Sequence, residues 1–281
     1  MVDVVVQPQA PIAPTSDTPS TVRLARGGSA GNVAVALAGQ SPDLEVTFVG
    51  CVGDDGASEM VSAAFLAAGV RPRLLTRPGR TGVVVSLVSP DGERAMLTDR
   101  GVNSQLDWTA VNDELVGVSH LHVSGYLLLD PHTRAGVAPL LALARSKDIS
   151  TSLDVCSVEP LRQAGASVFD DALVHVNFLF ANEEEALTLS GHDGLETALG
   201  ALARRVETVV VTRGANGALA VQGERLVTVP ASASRIVDTT GAGDSATGAF
   251  LGAILAGAGL EISLERAMAE AARVVTHLGA G

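Results

Sequence analysis

Aromatic residues and lysine are scarce in this chain. Its 281 residues include one Trp, one Tyr, six Phe and a single lysine, Lys147. A Walker-type phosphate loop needs lysine between Gly and Ser or Thr, whereas Lys147 lies between Ser146 and Asp148, so the sequence excludes that kind of nucleotide site. The net charge of −12 argues against nucleic acid or an anionic membrane as the main partner. Any phosphate chemistry must therefore use backbone amides, metal ions and arginine.

Cysteines and long apolar runs are also rare. Cys51 and Cys156 are isolated and form no Cys-x-x-Cys pair, which is typical of reduced thiols in a cytoplasmic protein. The longest apolar run, 249–260, is interrupted by glycine and is too short to span a bilayer. No basic residue precedes Arg23, so we expect no secretory signal. The length allows one large α/β domain or two small ones.

Near the C-terminus, a run of small residues flanked by two acids leads into an apolar segment with helical spacing. The run is Asp238-Thr239-Thr240-Gly241-Ala242-Gly243-Asp244. The first amides of a helix lack internal partners and carry partial positive charge, so small residues there let a phosphate approach. A carboxylate beside a phosphate weakens binding, which suggests that Asp244 accepts the proton of an attacking hydroxyl. The alternative is a helix start capped by Asp and Thr, with glycine for close packing.

This run resembles the C-terminal signature of the ribokinase-like, or PfkB, family of carbohydrate kinases, in which Asp-Thr-x-Gly-Ala-Gly-Asp carries the anion hole and the catalytic aspartate. The resemblance implies that Asp244 is the base and that Gly241, Ala242 and Gly243 form the anion hole. It also implies that Asp238 and Thr240 help to hold a monovalent cation such as K⁺.

A second glycine-rich junction lies near the N-terminus. Strands are predicted over 2–6 and 21–25, with an irregular crossing between them, and a helix follows Arg26-Gly27-Gly28-Ser29-Ala30-Gly31-Asn32. Asn32 either caps this helix or reaches a ligand hydroxyl. The segment resembles the family's Gly-Gly-x-x-x-Asn element, which implies that Gly27, Gly28 and Asn32 line the sugar pocket. Asp3 matches the sugar-binding aspartate of the family, whose members open with a longer first strand.

The segment from Arg71 to Leu97 alternates apolar and polar residues, with turns at 78–79 and at Pro90-Asp91-Gly92, and predicts antiparallel strands. The resemblance implies a β lid, formed by about 7–25 and 71–98, that covers the sugar and serves as a homodimer contact. Its arginines either recognise a carboxylate or phosphate on the substrate or lie on a solvated strand face. They are Arg71, Arg73, Arg77, Arg80, Arg94 and Arg100.

The second half of the chain alternates strand and helix. The strands are predicted at 120–124, 150–154, 176–180 and 208–212, with two antiparallel runs around 218–221 and 226–229. This rhythm predicts an α/β fold with a mostly parallel central sheet flanked by helices, and functional groups at the carboxyl ends of its strands. His120 and His122 share a strand face and, without a third ligand nearby, are interpreted as packing residues rather than a metal site.

Candidate nucleotide-site residues lie in two segments of this half. The acids of Asn182-Glu183-Glu184-Glu185 suit the first turn of a helix. The segment also resembles the family's Asn-x-x-Glu motif, which implies that Asn182 and Glu185 organise Mg²⁺ and its waters, since Mg²⁺ prefers oxygen ligands. Thr212 and Gly214 lie in a run that resembles the nucleotide loop of the family, and this resemblance implies that they contact ATP.

Asn103 lies in Gly101-Val102-Asn103, which resembles the Gly-Ala-Asn element of the family, and is assigned to the substrate.

The resemblance covers nearly the whole chain and implies a single ribokinase-like kinase domain over 1–281. The predicted function is an ATP-dependent sugar kinase that transfers the γ-phosphate to a hydroxyl of a ribose-like pentose, a ketose or a sugar acid. Two alternatives stay open: a nucleoside kinase of the adenosine type, for which the chain has few aromatic rings to stack a base, and a non-catalytic sugar-binding regulator on the same scaffold. No nucleic acid or membrane partner is expected.

Overall fold

The computed structural model describes residues 1–89, 94–232 and 236–277, with only the backbone of Arg94. The strands are β1 Val2–Pro8, β2 Ser20–Arg26, β3 Val46–Gly53, β4 Val70–Arg77, β5 Val83–Val88, β6 Arg94–Asp99, β7 His120–Ser124, β8 Ser150–Asp154, β9 Phe178–Asn182, β10 Thr208–Thr212, β11 Ala218–Gln222 and β12 Arg225–Val229. The helices are α1 Ser29–Gln40, α2 Gly56–Ala67, α3 Trp108–Asp113, α4 Tyr126–Leu129, α5 Arg134–Ser146, α6 Val158–Ala164, α7 Asp170–Leu173, α8 Glu183–Ser190, α9 Leu195–Ala203, α10 Ala242–Leu255 and α11 Leu260–Val274. The predicted α/β class is confirmed.

The chain forms two compact units. The first comprises Met1–Asn103, Ala233–Ala256 and Ala269–Gly281, and the second comprises Ser104–Ser232 and Gly257–Met268. The expectation of a single domain with a lid at about 7–25 and 71–98 stays a prediction. Across the described ranges, none of the helices combines the length and the apolar character needed to cross a membrane.

The first unit contains two sheets. In the four-stranded sheet β2-β1-β5-β6, β1 runs antiparallel to β2 and parallel to β5, and β5 runs antiparallel to β6. In the other sheet, β3 and β4 pair in parallel. The prediction of antiparallel strands throughout 71–97 is therefore wrong for β4. Helix α2 connects β3 to β4 as a crossover, and such a connection makes consecutive strands parallel. The predicted turn at Pro90-Asp91-Gly92 lies outside the described residues.

Helices α1 and α10 pack closely in this unit because glycine brings their backbones together. A β-carbon added at Gly248 would lie 2.6 Å from the Ala36 Cβ and 2.6 Å from the Val33 carbonyl oxygen. The neighbouring core contains Phe65, which is 1% exposed and stacks on Phe48 with ring centroids 4.4 Å apart. Burial of such a ring contributes about 3 kcal/mol. The packing fixes the start of α10 relative to the start of α1.

The second unit is built on the six-stranded sheet β12-β11-β10-β9-β8-β7. Strands β7 to β10 are parallel, and β11 and β12 continue as antiparallel strands, as predicted. The bounds predicted for β7, β8 and β10 agree with the structure. Strand β9 begins at Phe178 rather than at Val176, because the amides of His175 and Val176 bond back to the carbonyls of Ala172 and Leu173 in a turn.

Two histidines of β7 are held by hydroxyl groups of β8. The ring nitrogens of His120 lie 2.7 Å from Ser150 Oγ and 2.8 Å from Ser152 Oγ, and His122 Nδ1 lies 2.8 Å from Ser152 Oγ. Burial lowers the pKa of His120 to about 4 and that of His122 to about 3, the latter with a contribution from the neighbouring imidazole. Both rings also contact phenylalanines of β9. They are neutral packing residues at physiological pH.

Candidate active site

The loop before α10 is shaped by a buried aspartate. Asp238 is 1% exposed, and its Oδ1 accepts hydrogen bonds from the Thr240 amide at 2.8 Å and the Thr240 hydroxyl at 2.6 Å. The Val237 amide donates to the carbonyl of Val275, which holds the loop against the end of α11. The role of Asp238 and Thr240 in holding a cation stays a prediction, and both residues supply the oxygen atoms that such an ion requires.

Helix α10 begins with a glycine cap. Gly241 adopts the left-handed conformation with φ 74°, and within the described part of the chain no side chain caps this end. The alternative of a start capped by Asp or Thr is therefore wrong. The first helical bond runs from the Ser245 amide to the Gly241 carbonyl. A β-carbon at Gly243 would meet no atom within 4 Å, so an anion can approach this helix start, where the Ala242 amide donates to the Thr239 carbonyl at 3.3 Å.

Asp244 and Asn32, 212 residues apart in the sequence, meet at this helix start. Asp244 lies in the first turn of α10, and its Oδ2 accepts a hydrogen bond of 2.8 Å from Asn32 Nδ2. Asn32 lies in the first turn of α1, where its backbone amide donates a hydrogen bond to the Gly28 carbonyl. The structure thus brings the predicted base and a predicted sugar-binding residue into contact.

Gly27 and Gly28, two further predicted acceptor residues, directly precede α1, and Asp3 lies against Gly27. Gly28 is the N-cap of α1 with φ 94°, a conformation that favours glycine. A β-carbon at Gly27 would overlap the carboxylate of Asp3, which is 7% exposed. Gly27 therefore has no space for any larger residue while Asp3 occupies its place.

Arg26 also contacts Asn32, although no sequence pattern predicted a role for this residue. Its Nη1 donates a 2.8 Å hydrogen bond to Asn32 Oδ1, and the guanidinium lies over the Phe65 ring, 5.1 Å from the centroid. Burial lowers the pKa of Arg26, while the charges of Asp3 and Asp244 raise it. The one sequence feature that could have indicated its role is its position directly before the Gly27-Gly28 pair.

Asn103 holds a loop of the first unit. Its Oδ1 accepts a 3.2 Å hydrogen bond from the Gly82 amide. Next to it, Thr81 donates through its amide and its hydroxyl to Asp55, and these bonds lower the pKa of that carboxyl. Asp55 also caps α2, and Asp54 accepts from the Gly79 amide, so both acids hold the turn before α2. The substrate role of Asn103 stays a prediction.

Asn182 and Thr212 are neighbours at the carboxyl ends of β9 and β10 in the second unit. Asn182 caps α8 by accepting from the Glu185 amide at 2.8 Å, and Glu185 Oε2 accepts from the Asn182 amide at 2.9 Å. This capping box holds a carboxylate that is only 5% exposed. Gly214 begins a short 3-10 turn with φ 53° directly after Thr212 and Arg213.

Two arginines of the predicted lid, Arg71 and Arg80, have exposed side chains. Arg71 pairs with Glu45 at 3.1 Å with its side chain 51% exposed, and Arg80 lies 3.8 Å from Asp99 with its side chain 86% exposed. Exposed pairs of this kind add at most about 1 kcal/mol. These geometries favour the solvated strand face over an anion-binding cluster.

Comparison with known proteins decides the family. The sequence profile of the pfkB family carbohydrate kinases matches residues 1–281. The chain belongs to this family. As a pfkB kinase it is a phosphotransferase with an alcohol group as acceptor, and it phosphorylates a sugar at the expense of ATP.

Relatives of this pfkB kinase cover nearly its whole length. An ATP-dependent ribose-1-phosphate kinase from Halopiger xanaduensis is 30% identical over 276 residues, 95% of this chain and 87% of the relative. The structure of adenosine kinase from Sinorhizobium meliloti has a TM-score of 0.88 at 25% identity, covering 100% of this chain and 92% of that one. A ribokinase-like structure from E. coli in complex with ATP and Mg²⁺ has a TM-score of 0.87 at 22% identity, covering 99% and 92%.

Proposed function

We propose that this pfkB kinase transfers the γ-phosphate of ATP to a hydroxyl of a small sugar, of the ribose-like pentose, ketose or sugar-acid class. The observation that supports the proposal most is the contact of Asn32 with Asp244 at the glycine-capped start of α10. A hydroxyl bound there by Asn32 and Asp3 lies beside a carboxylate that can take its proton and beside amides that stabilise anionic oxygens.

The reaction is a displacement at phosphorus. The sugar oxygen forms a bond to the γ-phosphorus, the bond from that phosphorus to the β–γ bridging oxygen breaks, and ADP leaves with the electron pair. Asp244 takes the proton that the sugar hydroxyl loses. The amides of Gly241 and Gly243 donate to the oxygens of the phosphoryl group in transit, whereas the Ala242 amide already donates to the Thr239 carbonyl at 3.3 Å. Asn32, Gly28 and Asp3 orient the sugar.

The nucleotide is assigned to the second unit, where Thr212 and Gly214 are proposed to contact ATP. Asn182 and Glu185 fit Mg²⁺ and its waters, because their oxygens are hard ligands and the capping box holds the Glu185 carboxylate in a fixed direction. When bound, the ion neutralises charge on the phosphates. The E. coli neighbour in complex with ATP and Mg²⁺ supports this cofactor. Asp238 and Thr240 are proposed to hold K⁺, and a cytoplasmic location is proposed from the isolated cysteines.

A substrate panel tests the function. ATP-dependent phosphorylation of ribose, ribose 1-phosphate, fructose, 2-dehydro-3-deoxygluconate and adenosine is measured in K⁺ and in Na⁺. We expect a sugar to give the highest kcat/KM, with a higher rate in K⁺. Preference for adenosine would instead make the protein a nucleoside kinase, the activity of the Sinorhizobium meliloti neighbour. Sugar binding measured by calorimetry, without any turnover, would indicate a sugar-binding regulator. Equal rates in K⁺ and in Na⁺ would contradict the proposed K⁺ site.

A homodimer through the four-stranded sheet is proposed as well. One face of that sheet carries the aligned row Leu24, Val4, Val85 and Leu97. Leu24 is 64% exposed and Leu97 is 62% exposed. Val4 and Val85 between them are half-buried, and an apolar row with exposed leucines at both edges is typical of a protein interface.

Leu24→Asp is expected to convert the dimer into a monomer in analytical ultracentrifugation, because a carboxylate cannot be buried between two apolar sheets without a partner. Val116→Asp is the matched control, since Val116 is 82% exposed and lies on another part of the surface in the second unit. Wild-type protein that sediments as a monomer at micromolar concentration would contradict the proposal.

A further inference from the structure

Arg26 is buried in the candidate active site. It is 6% exposed at the end of β2, and its guanidinium lies against the ring of Phe65. Gly31 makes room for this arrangement, because a β-carbon there would come 3.0 Å from Arg26 Nη1 and 3.1 Å from the ring of Phe65. Burial of a guanidinium is costly unless nearby groups compensate its charge.

Compensation comes from two carboxylates that the proposed reaction uses. Asp3 and Asp244 both raise the pKa of Arg26 against the effect of its burial. Arginine keeps its charge even in buried sites, so the guanidinium is a permanent cation between two acids. The interaction is mutual: a cation that these acids stabilise also favours their ionised forms.

Arg26 also determines the direction of the Asn32 amide. A guanidinium can only donate hydrogen bonds and an ionised carboxylate can only accept them. Asn32 must therefore turn its oxygen to Arg26, at 2.8 Å, and its NH₂ group to Asp244, at 2.8 Å. A reversed amide would place two donors together at one end and two acceptors together at the other.

We propose that Arg26 is a positioning residue of the phosphoryl-transfer site, which orients Asn32 towards Asp244 and keeps the base ionised. The proposal rests on the proposed role of Asp244 as the base. Arg26 acts through Asn32 and through its charge, and it needs no contact with the sugar.

The charged groups around the base come from several elements. Asp244 on α10 meets Asn32 on α1, and Arg26 on β2 and Asp3 on β1 complete the cluster. The α-amino group of Met1 interacts with Asp3 and Arg26, and burial lowers its pKa. Phe65 on α2 contributes no charge. Removal of the guanidinium leaves two acids with less positive charge near them, so the pKa of Asp244 rises and the base is protonated at a higher pH.

The test compares Arg26→Gln and Arg26→Lys by the pH dependence of kcat/KM. For Arg26→Gln we expect kcat/KM to fall about 100-fold at neutral pH. We also expect the acidic limb of its profile to move up by about one pH unit. For Arg26→Lys we expect the acidic limb to stay near its wild-type position, because the positive charge is kept. The kcat/KM of this variant still falls, because an ammonium cannot reproduce the planar contact with Asn32 and Phe65. Arg23→Gln, on the exposed part of the same strand, should leave both quantities unchanged.

Arg26→Gln and Arg26→Lys together decide the proposal. An acidic limb that stays in place in Arg26→Gln, or a wild-type kcat/KM in Arg26→Lys, overturns it. If Arg26→Gln does not fold, the lysine variant alone must show a lowered kcat/KM with an unmoved limb. Asp244→Asn separates the two hypotheses: an active Asp244→Asn enzyme refutes the proposed base, whereas an inactive one combined with a wild-type Arg26→Gln profile refutes only the role of Arg26.

Discussion

Asp244→Asn is expected to lower kcat by about 1,000-fold while the sugar still binds. The asparagine oxygen can accept the hydrogen bond from Asn32 Nδ2 that the Asp244 carboxylate accepts at 2.8 Å. An amide cannot take the proton of the attacking hydroxyl, so the loss falls on the chemical step. Rates are measured by ADP release, and binding of the sugar is measured by calorimetry.

The matched control for this substitution is Glu261→Gln, which also exchanges a carboxylate for an amide near the start of a helix. The Glu261 side chain is 64% exposed and belongs to α11 in the second unit. The Glu261→Gln variant should keep the wild-type kcat and the wild-type thermal stability. A kcat of Asp244→Asn within threefold of the wild type would remove Asp244 from the mechanism.

Gly248→Ala is expected to destabilise the protein by about 3 kcal/mol, although alanine is the better helix former. The added β-carbon would lie 2.6 Å from the Val33 carbonyl oxygen and 2.9 Å from the Leu37 amide. Both are backbone atoms, so helix α1 has to move away from α10. Since Asn32 and Asp244 lie in the first turns of these helices, kcat should fall together with stability.

The control is Gly39→Ala in α1, where an added β-carbon meets no atom within 4 Å. This variant should gain about 1 kcal/mol from helix propensity alone. The two substitutions make the same chemical change and are expected to move the midpoint of urea denaturation in opposite directions. A Gly248→Ala protein as stable as the wild type would show that α1 and α10 adjust without cost.

Local patterns in the sequence were sufficient for much of the fold. Strand β10 is a short apolar run, and its predicted bounds agree with the structure. Pairing partners were harder to predict, because alternation within 71–97 indicates strands without indicating their neighbours. Strand β4 pairs with β3 because α2 carries the chain back to the same edge, which is a property of the connection and not of β4 itself.

In the candidate site, too, local features could be predicted from the sequence, whereas contacts between distant residues could not. The loop and helix start around Asp244 follow from a string of small residues before an apolar helix, which is a local signal. The contact between Asn32 and Asp244 joins two distant parts of the chain, and only the family resemblance placed them in one site. Arg26 could not be singled out, because the sequence does not distinguish a buried arginine from an exposed one such as Arg71.

Two glycine contacts, one before α1 and one between α10 and α1, limit how this enzyme can be altered. Because Gly27 abuts Asp3 and Gly248 abuts the backbone of α1, neither position accepts even one additional carbon atom without displacing its neighbours. Libraries for a new acceptor specificity should therefore leave these two glycines untouched. Variation should be directed to the surrounding strands and turns, where a change of side chain alters the acceptor site and spares the reacting groups.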